Sequence, residues 1–171
     1  GANLEYTDLY SANLSKANLE NAILRDAKLR SANLANTILV GADLENADLF
    51  NAVMRKADLT AARLAGANLA GANLQGADLS GANLEGAVLQ NTDLGEAILD
   101  NANLQAADMR GAIGAELKGT RGMPAYAPEI EEEEKTAEAL PQAEDADAPE
   151  AADSEIDAAP KEDENDEPPL L

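Results

Sequence analysis

One period governs most of this chain. Leu stands at position 4 and at every fifth position to Leu49, Met54 takes one place, Leu59 to Leu104 resume the series, and Met109 ends it. Two residues before each sits a small residue, almost always Ala, with Thr7, Thr37 and Thr92 as the exceptions. Between the two lies usually Asn or Asp, as in Asn13, Asp43, Asn73 and Asp93. A step of five on an α-helix advances about 500°, so the Leu residues would walk around the cylinder and form no apolar face. On a continuous strand an odd step sends successive Leu side chains to opposite faces. What remains is a chain that runs extended for three residues, with Ala and Leu on one side and Asn or Asp on the other, and then bends. If every bend turns the same way, every Leu points to a common axis.

The chemistry of the bend lies two residues after each Leu. That column includes Asn21, Asn36, Gly41, Asn46 and Asn51, then Gly66, Gly71, Gly76, Gly81 and Gly86, then Asn91 and Asn101. Gly and Asn best tolerate the positive φ that type II turns require, so one corner per pentad follows. Side chains converging inside a narrow tube leave room for one large and one small residue per unit. The expected core is therefore a stack of Leu with Ala packed between, including Leu4, Leu24, Leu44, Met54, Leu64, Leu84, Leu104 and Met109.

These A-(D/N)-L-x-x units resemble those of the pentapeptide-repeat proteins, a family well represented in cyanobacteria, over residues 1–113. The resemblance implies an all-β fold: a right-handed quadrilateral parallel β-helix with four pentads per coil and residues n and n+20 stacked. The run from Leu4 to Met109 then makes five to six coils. At roughly 4.8 Å per coil the rod would be on the order of 25 Å long.

Charge supports the stacking. Glu5, Arg25 and Glu45 fall in one column, and Asp8, Lys28 and Asp48 in another, both alternating in sign. Opposite charges on neighbouring rungs contribute roughly 0.2–1 kcal/mol, whereas like charges repel. A third column holds Tyr10, Arg30 and Phe50, where the guanidinium would sit between two rings. With Tyr6 nearby, Tyr6, Tyr10, Arg30 and Phe50 are the candidate protein contacts, set against the plainer reading that these rings merely cover a coil edge.

Composition divides the chain. The net charge is −21, of which residues 1–113 carry −6 and the remainder −15. Residues 129–171, with "EIEEEE" and "KEDENDEPPLL", hold too few large apolar residues to offset conformational entropy, and an acidic disordered tail is expected there. Within it Glu129–Leu140 has the composition of a short transient helix. Residues 114–128 form the junction, and Ile113 just before it, with Leu117, Met123 and Tyr126 within it, are the expected cap over the last coil. Gly1 to Leu4 are already in register. Either residues upstream were removed, which the missing initiator Met favours, or the first coil stacks on a partner, including end to end on a second copy.

Catalysis finds little support. With no Cys and no His, thiol nucleophiles, imidazole bases and the usual zinc and copper sites are removed. Carboxylates recur before Leu, but Asn alternates with Asp there, so a short polar side chain bonding to backbone beside a turn is favoured over acid–base work. Gly-Gly-x-Gly-x-Asp calcium units are absent. The expectation is no catalytic residue, no cofactor and no metal. Direct binding of nucleic acid is disfavoured by the acidic balance. The leading function is a non-enzymatic scaffold or protein–protein interaction module with an unidentified protein partner. The alternative, implied by the resemblance, is a DNA mimic that binds gyrase and protects or inhibits it. Lys16, Arg25, Lys28, Arg30, Arg55, Lys56 and Arg63 interrupt the acidic surface that such a mimic needs. No stretch reaches the ~20 apolar residues of a membrane span and no signal peptide stands at the front, so the cytoplasm is expected, with the thylakoid lumen as the alternative if a targeting segment was removed.

Overall fold

The computed structural model describes residues 1–127. Parallel bridges join residue n to n+20 from Asn3↔Ile23 through Asp93↔Ile113, so four pentads close each coil and the coils stack in register. Each bridge residue through Asp108 is the one before Leu, or before the Met that replaces it, at the centre of a three-residue extended side. At the end of the side the backbone turns through a corner closed by a hydrogen bond to the leucine carbonyl, as Ala12 N–H to Leu9 O at 3.0 Å and Ala72 N–H to Leu69 O at 2.9 Å.

The corners are more uniform than the Gly/Asn column implies. Positive φ recurs two residues after Leu at Tyr6, Ser11, Lys16, Asp26, Lys56, Ala61 and Ala106 as well, between 53° and 62°. Such residues resist this conformation, and the coil imposes it through bonds from the same residue to the next coil, as Tyr6 N–H to Arg25 O at 3.0 Å and Ala61 N–H to Ser80 O at 2.8 Å.

Inside, the Leu and Ala columns are buried from the second coil onward, including Leu24, Leu44, Met54, Leu64, Leu84, Leu104 and Met109, with Ala97 near the closing end only partly so. Leu4 departs from the expected core: it is only half-buried, with Leu9 and Leu14, because the first coil has a neighbour on one side only. Thr37 and Thr92 take Ala positions at 0% exposure. Each hydroxyl is satisfied by a carbonyl of the preceding coil, Thr37 Oγ1 donating to Leu14 O at 2.8 Å and Thr92 Oγ1 to Leu69 O at 2.9 Å. A buried hydroxyl with a partner avoids the desolvation penalty that would otherwise exclude it.

On the outside, the Asn or Asp before Leu accepts the backbone N–H two residues on, as Asn3 from Glu5 at 3.1 Å, Asp58 from Thr60 at 3.1 Å and Asp78 from Ser80 at 2.9 Å. Both residue types do this through Oδ1. The alternation of Asn with Asp in the sequence therefore reflects a turn-bonding role for which charge is not needed.

The junction differs from the expected cap. Backbone pairing continues beyond Ile113, through Asn103↔Arg121 and Asp108↔Tyr126, with a register of eighteen in place of twenty. Leu117 and Ala115 pack against the core, but Ile113, Met123 and Tyr126 are exposed at 62%, 77% and 53%. The closing segment covers the last coil mainly with paired backbone: Ile113 and Tyr126 bridge the outward positions Asp93 and Asp108 and so face outward themselves. The acidic tail expected over 129–171, and the short helix within it, lie outside the described residues.

Candidate protein-contact surface

Tyr6 and Tyr10 bracket the first-coil side whose outward residue is Asp8, Tyr6 at the corner before it and Tyr10 just after it. They are 70% and 65% exposed, the two most open aromatic rings among the described residues. Arg30 and Phe50 follow Tyr10 in the same column on the next two coils. The guanidinium carbon of Arg30 lies 4.4 Å from the centroid of the Phe50 ring. It does not lie between two rings as the column implies: Arg30 turns toward the later coil, where its Nη1 also donates to Asp48 Oδ2 at 3.2 Å. Asp48 in turn accepts the Phe50 N–H at 3.2 Å, so carboxylate, guanidinium and ring brace one another. Tyr10 is left uncovered by this stack.

The charge columns are corrected in a similar way. Asp8, Lys28 and Asp48 do stack through bridges, yet Lys28 has no ion pair among the described residues. Arg25 does not pair with Glu5. Its Nε donates to Asp43 Oδ2 at 2.6 Å and its Nη2 lies 3.5 Å from Glu45. Arg63 approaches the same two carboxylates from the following coil, at 3.5 Å from Asp43 and 3.1 Å from Glu45. The hydrogen bond and the charge of Asp43 hold the Arg25 pKa above its ordinary value.

The rule behind these contacts was not legible from a twenty-residue column. Arg25–Asp43, Arg30–Asp48, Glu45–Arg63 and Gln90–Asp108 all span eighteen residues. A side chain at the corner, just after Leu, reaches diagonally to the outward residue before Leu on the next coil. Asp108 receives one such donor, Gln90 Nε2 at 2.7 Å, and a local one two residues on, Arg110 Nη2 at 2.6 Å, and the Arg110 bond above all holds its carboxyl well below the usual carboxylate range. Arg110 also stacks on Tyr126 at 4.4 Å, a second Arg–aromatic pair in the column of Arg30 and one that the sequence reading missed.

No group of carboxylates is arranged to hold a metal ion among the described residues. No helix there is long and apolar enough to cross a membrane.

The pentapeptide-repeat model matches residues 1–30, 27–64, 62–99 and 77–113. A pentapeptide-repeat protein of Nostoc PCC 7120 is 34% identical over 59% of this chain and 84% of its own length, with a TM-score of 0.53. HetL, a pentapeptide-repeat protein involved in heterocyst differentiation regulation in Nostoc sp. strain PCC 7120, is 38% identical over 66% of this chain, with a TM-score of 0.42. The chain spans 61% of the length of HetL. A pentapeptide-repeat protein of the Arabidopsis thaliana thylakoid lumen is 30% identical over 63% of this chain and 64% of its own, with a TM-score of 0.39. No curated protein matches. The likeness to the first of these structures implies the right hand of the coil. A five-residue repeat matched without a gap over residues 1–113, folded into four-sided stacked coils, leaves one assignment: the chain belongs to the pentapeptide-repeat family.

Proposed function

We propose that this protein is a non-enzymatic interaction scaffold, and that a partner protein docks on the face carrying Tyr6, Tyr10, Arg30 and Phe50. The single observation that carries the reading is the pairing of two widely exposed tyrosines with a braced Arg30–Phe50 stack on neighbouring coils. Tyr and Arg are the residues in which binding energy concentrates at interfaces, because each presents a large contact area with a polar end. A fixed coil spacing also holds them ready, so little ordering entropy is lost on docking.

Affinity capture from a cyanobacterial extract tests this with two baits, the full chain and a Tyr10→Ala, Arg30→Ala, Phe50→Ala triple variant. The variant should melt within a few degrees of the parent and lose the captured partner. Retention of that partner by the folded variant would remove this face from consideration. The gyrase reading makes a separate demand: the purified chain should inhibit supercoiling in a salt-dependent way. No inhibition is expected at micromolar protein, since Arg55, Lys56, Lys16 and Lys28 would meet a surface built for phosphate, and none of the four has an ion-pair partner among the described residues.

A further inference from the structure

The shortened register of the closing segment has a local cost. Leu94 N–H still donates to Ile113 O at 2.9 Å, an offset of nineteen, whereas Leu104 N–H donates to Arg121 O at 2.8 Å, an offset of seventeen. Two residues are lost between these points, and the side that residue 118 would have occupied is cut across. In the coil before, the corresponding side is complete: Ile98 N–H donates to Ala77 O at 2.9 Å and Leu79 N–H to Ile98 O at 2.8 Å. One coil later, the Ala97 carbonyl has no backbone donor and the Leu99 N–H no backbone acceptor among the described residues. A cavity of about 240 Å³ opens at that place, lined by Ala97, Ile98 and Leu99 with Glu96, Asp100 and Glu116, and with Lys118 the one cation in its lining among the described residues. Ile98 is 47% exposed there.

We infer that this notch is a docking site for an extended, lysine- or arginine-bearing segment of a partner protein, which completes the missing side by one parallel-type bridge to Ala97 and Leu99. The backbone supplies an acceptor and a donor spaced as in every other side, so an extended residue restores the ladder. Three carboxylates against one lysine select a cationic segment. The notch lies apart from the Tyr10–Arg30–Phe50 column, so the two proposals stand or fall separately.

Amide exchange and titration by NMR on the full chain test the inference. In the free protein the Leu99 amide should exchange at least about tenfold faster than those of Leu79 and Leu104, which are bonded. The probe is a capped peptide, Lys-Thr-Ala-Val-Lys, with two controls: the same peptide N-methylated at its central residue, and a version with Glu at both ends. The lysine peptide should slow Leu99 exchange and shift resonances confined to residues 96–100 and 114–118, with both controls at least about tenfold weaker. A Glu96→Lys, Glu116→Lys variant should melt like the parent and lose the binding, while the Tyr10/Arg30/Phe50 triple variant keeps it. A Leu99 amide as slow as Leu79 in the free chain would show the notch already filled and overturn the inference. So would absence of binding at millimolar peptide, equal binding by either control, or undiminished binding by the double variant.

Discussion

At the scale of the residue, the corner decides how much strain each pentad carries. Ala61 sits at φ 55° with its N–H fixed to Ser80 O, whereas Gly81, one coil later in the same column, meets the same demand without a Cβ. A left-handed conformation costs a non-Gly residue about 1–2 kcal/mol, and the greater freedom of Gly in the unfolded chain returns about 0.5–1 kcal/mol of that. Ala61→Gly is therefore expected to stabilise the coil by about 0.5 kcal/mol in urea unfolding. The reverse change, Gly81→Ala, should cost a similar ~0.5 kcal/mol, since a Cβ there meets no neighbour and only the backbone objects. Asp108 makes a pH prediction. Its folded-state pKa is lowered, chiefly by Arg110, so its contribution is present above the unfolded carboxylate value of about 3.9 and is lost as pH falls through the folded value. Melting of the parent and of Asp108→Asn should thus differ most at neutral pH and converge in strong acid. A difference that stays constant from pH 6 to pH 2 would deny Asp108 this role.

The coil is the next scale, and here the Leu column carries the fold. Leu74 is fully buried between its neighbours of the coils before and after, so Leu74→Asp places a charge in a dry stack and should cost more than about 4 kcal/mol. Gln75→Ala, one residue on at the surface, should change stability by less than about 0.5 kcal/mol. Equal melting shifts for the two would contradict the inward column. How much of this was legible in the sequence follows from the same geometry. Period, corner and inward Leu were readable, because each is a one-residue rule repeated in every pentad. The n+20 stack was readable once four pentads were assigned to a coil. Side-chain partners were not: Arg25 chose Asp43, and Arg30 left Tyr10 for Phe50 and Asp48, because long side chains lean across the coil while a column registers only what lies directly above. The closing segment escaped for a different reason. Its two-residue shortcut breaks the period, and beyond Ile113 apolar residues alone could not say whether Met123 and Tyr126 turn inward or outward.

On the scale of the whole molecule, the closing segment ends the stack of coils with paired backbone, and that closure bears on how the chain meets other copies of itself. The last coil bonds to the closing segment through Asn101 to Gly119 at 2.9 Å, Leu104 to Arg121 at 2.8 Å, Ala106 to Met123 at 2.9 Å and Met109 to Tyr126 at 2.9 Å. Leu117 and Ala115 cover part of the core beside them. Deleting residues from Ile113 onward would leave all four N–H groups without these acceptors and expose the tops of Leu104 and Met109 together, an open parallel edge of the kind that pairs with another chain. That truncation should associate, seen in light scattering as a mass that rises with protein concentration from the micromolar range. Deleting 129–171 alone removes none of these bonds. It should leave melting within a few degrees of the parent, although it strips much of the net charge of −21, a source of repulsion between copies. The two truncations separate backbone closure from charge repulsion. If the shorter deletion associates as strongly as the longer one at physiological salt, repulsion by the acidic segment, and not the closed edge, is what limits association.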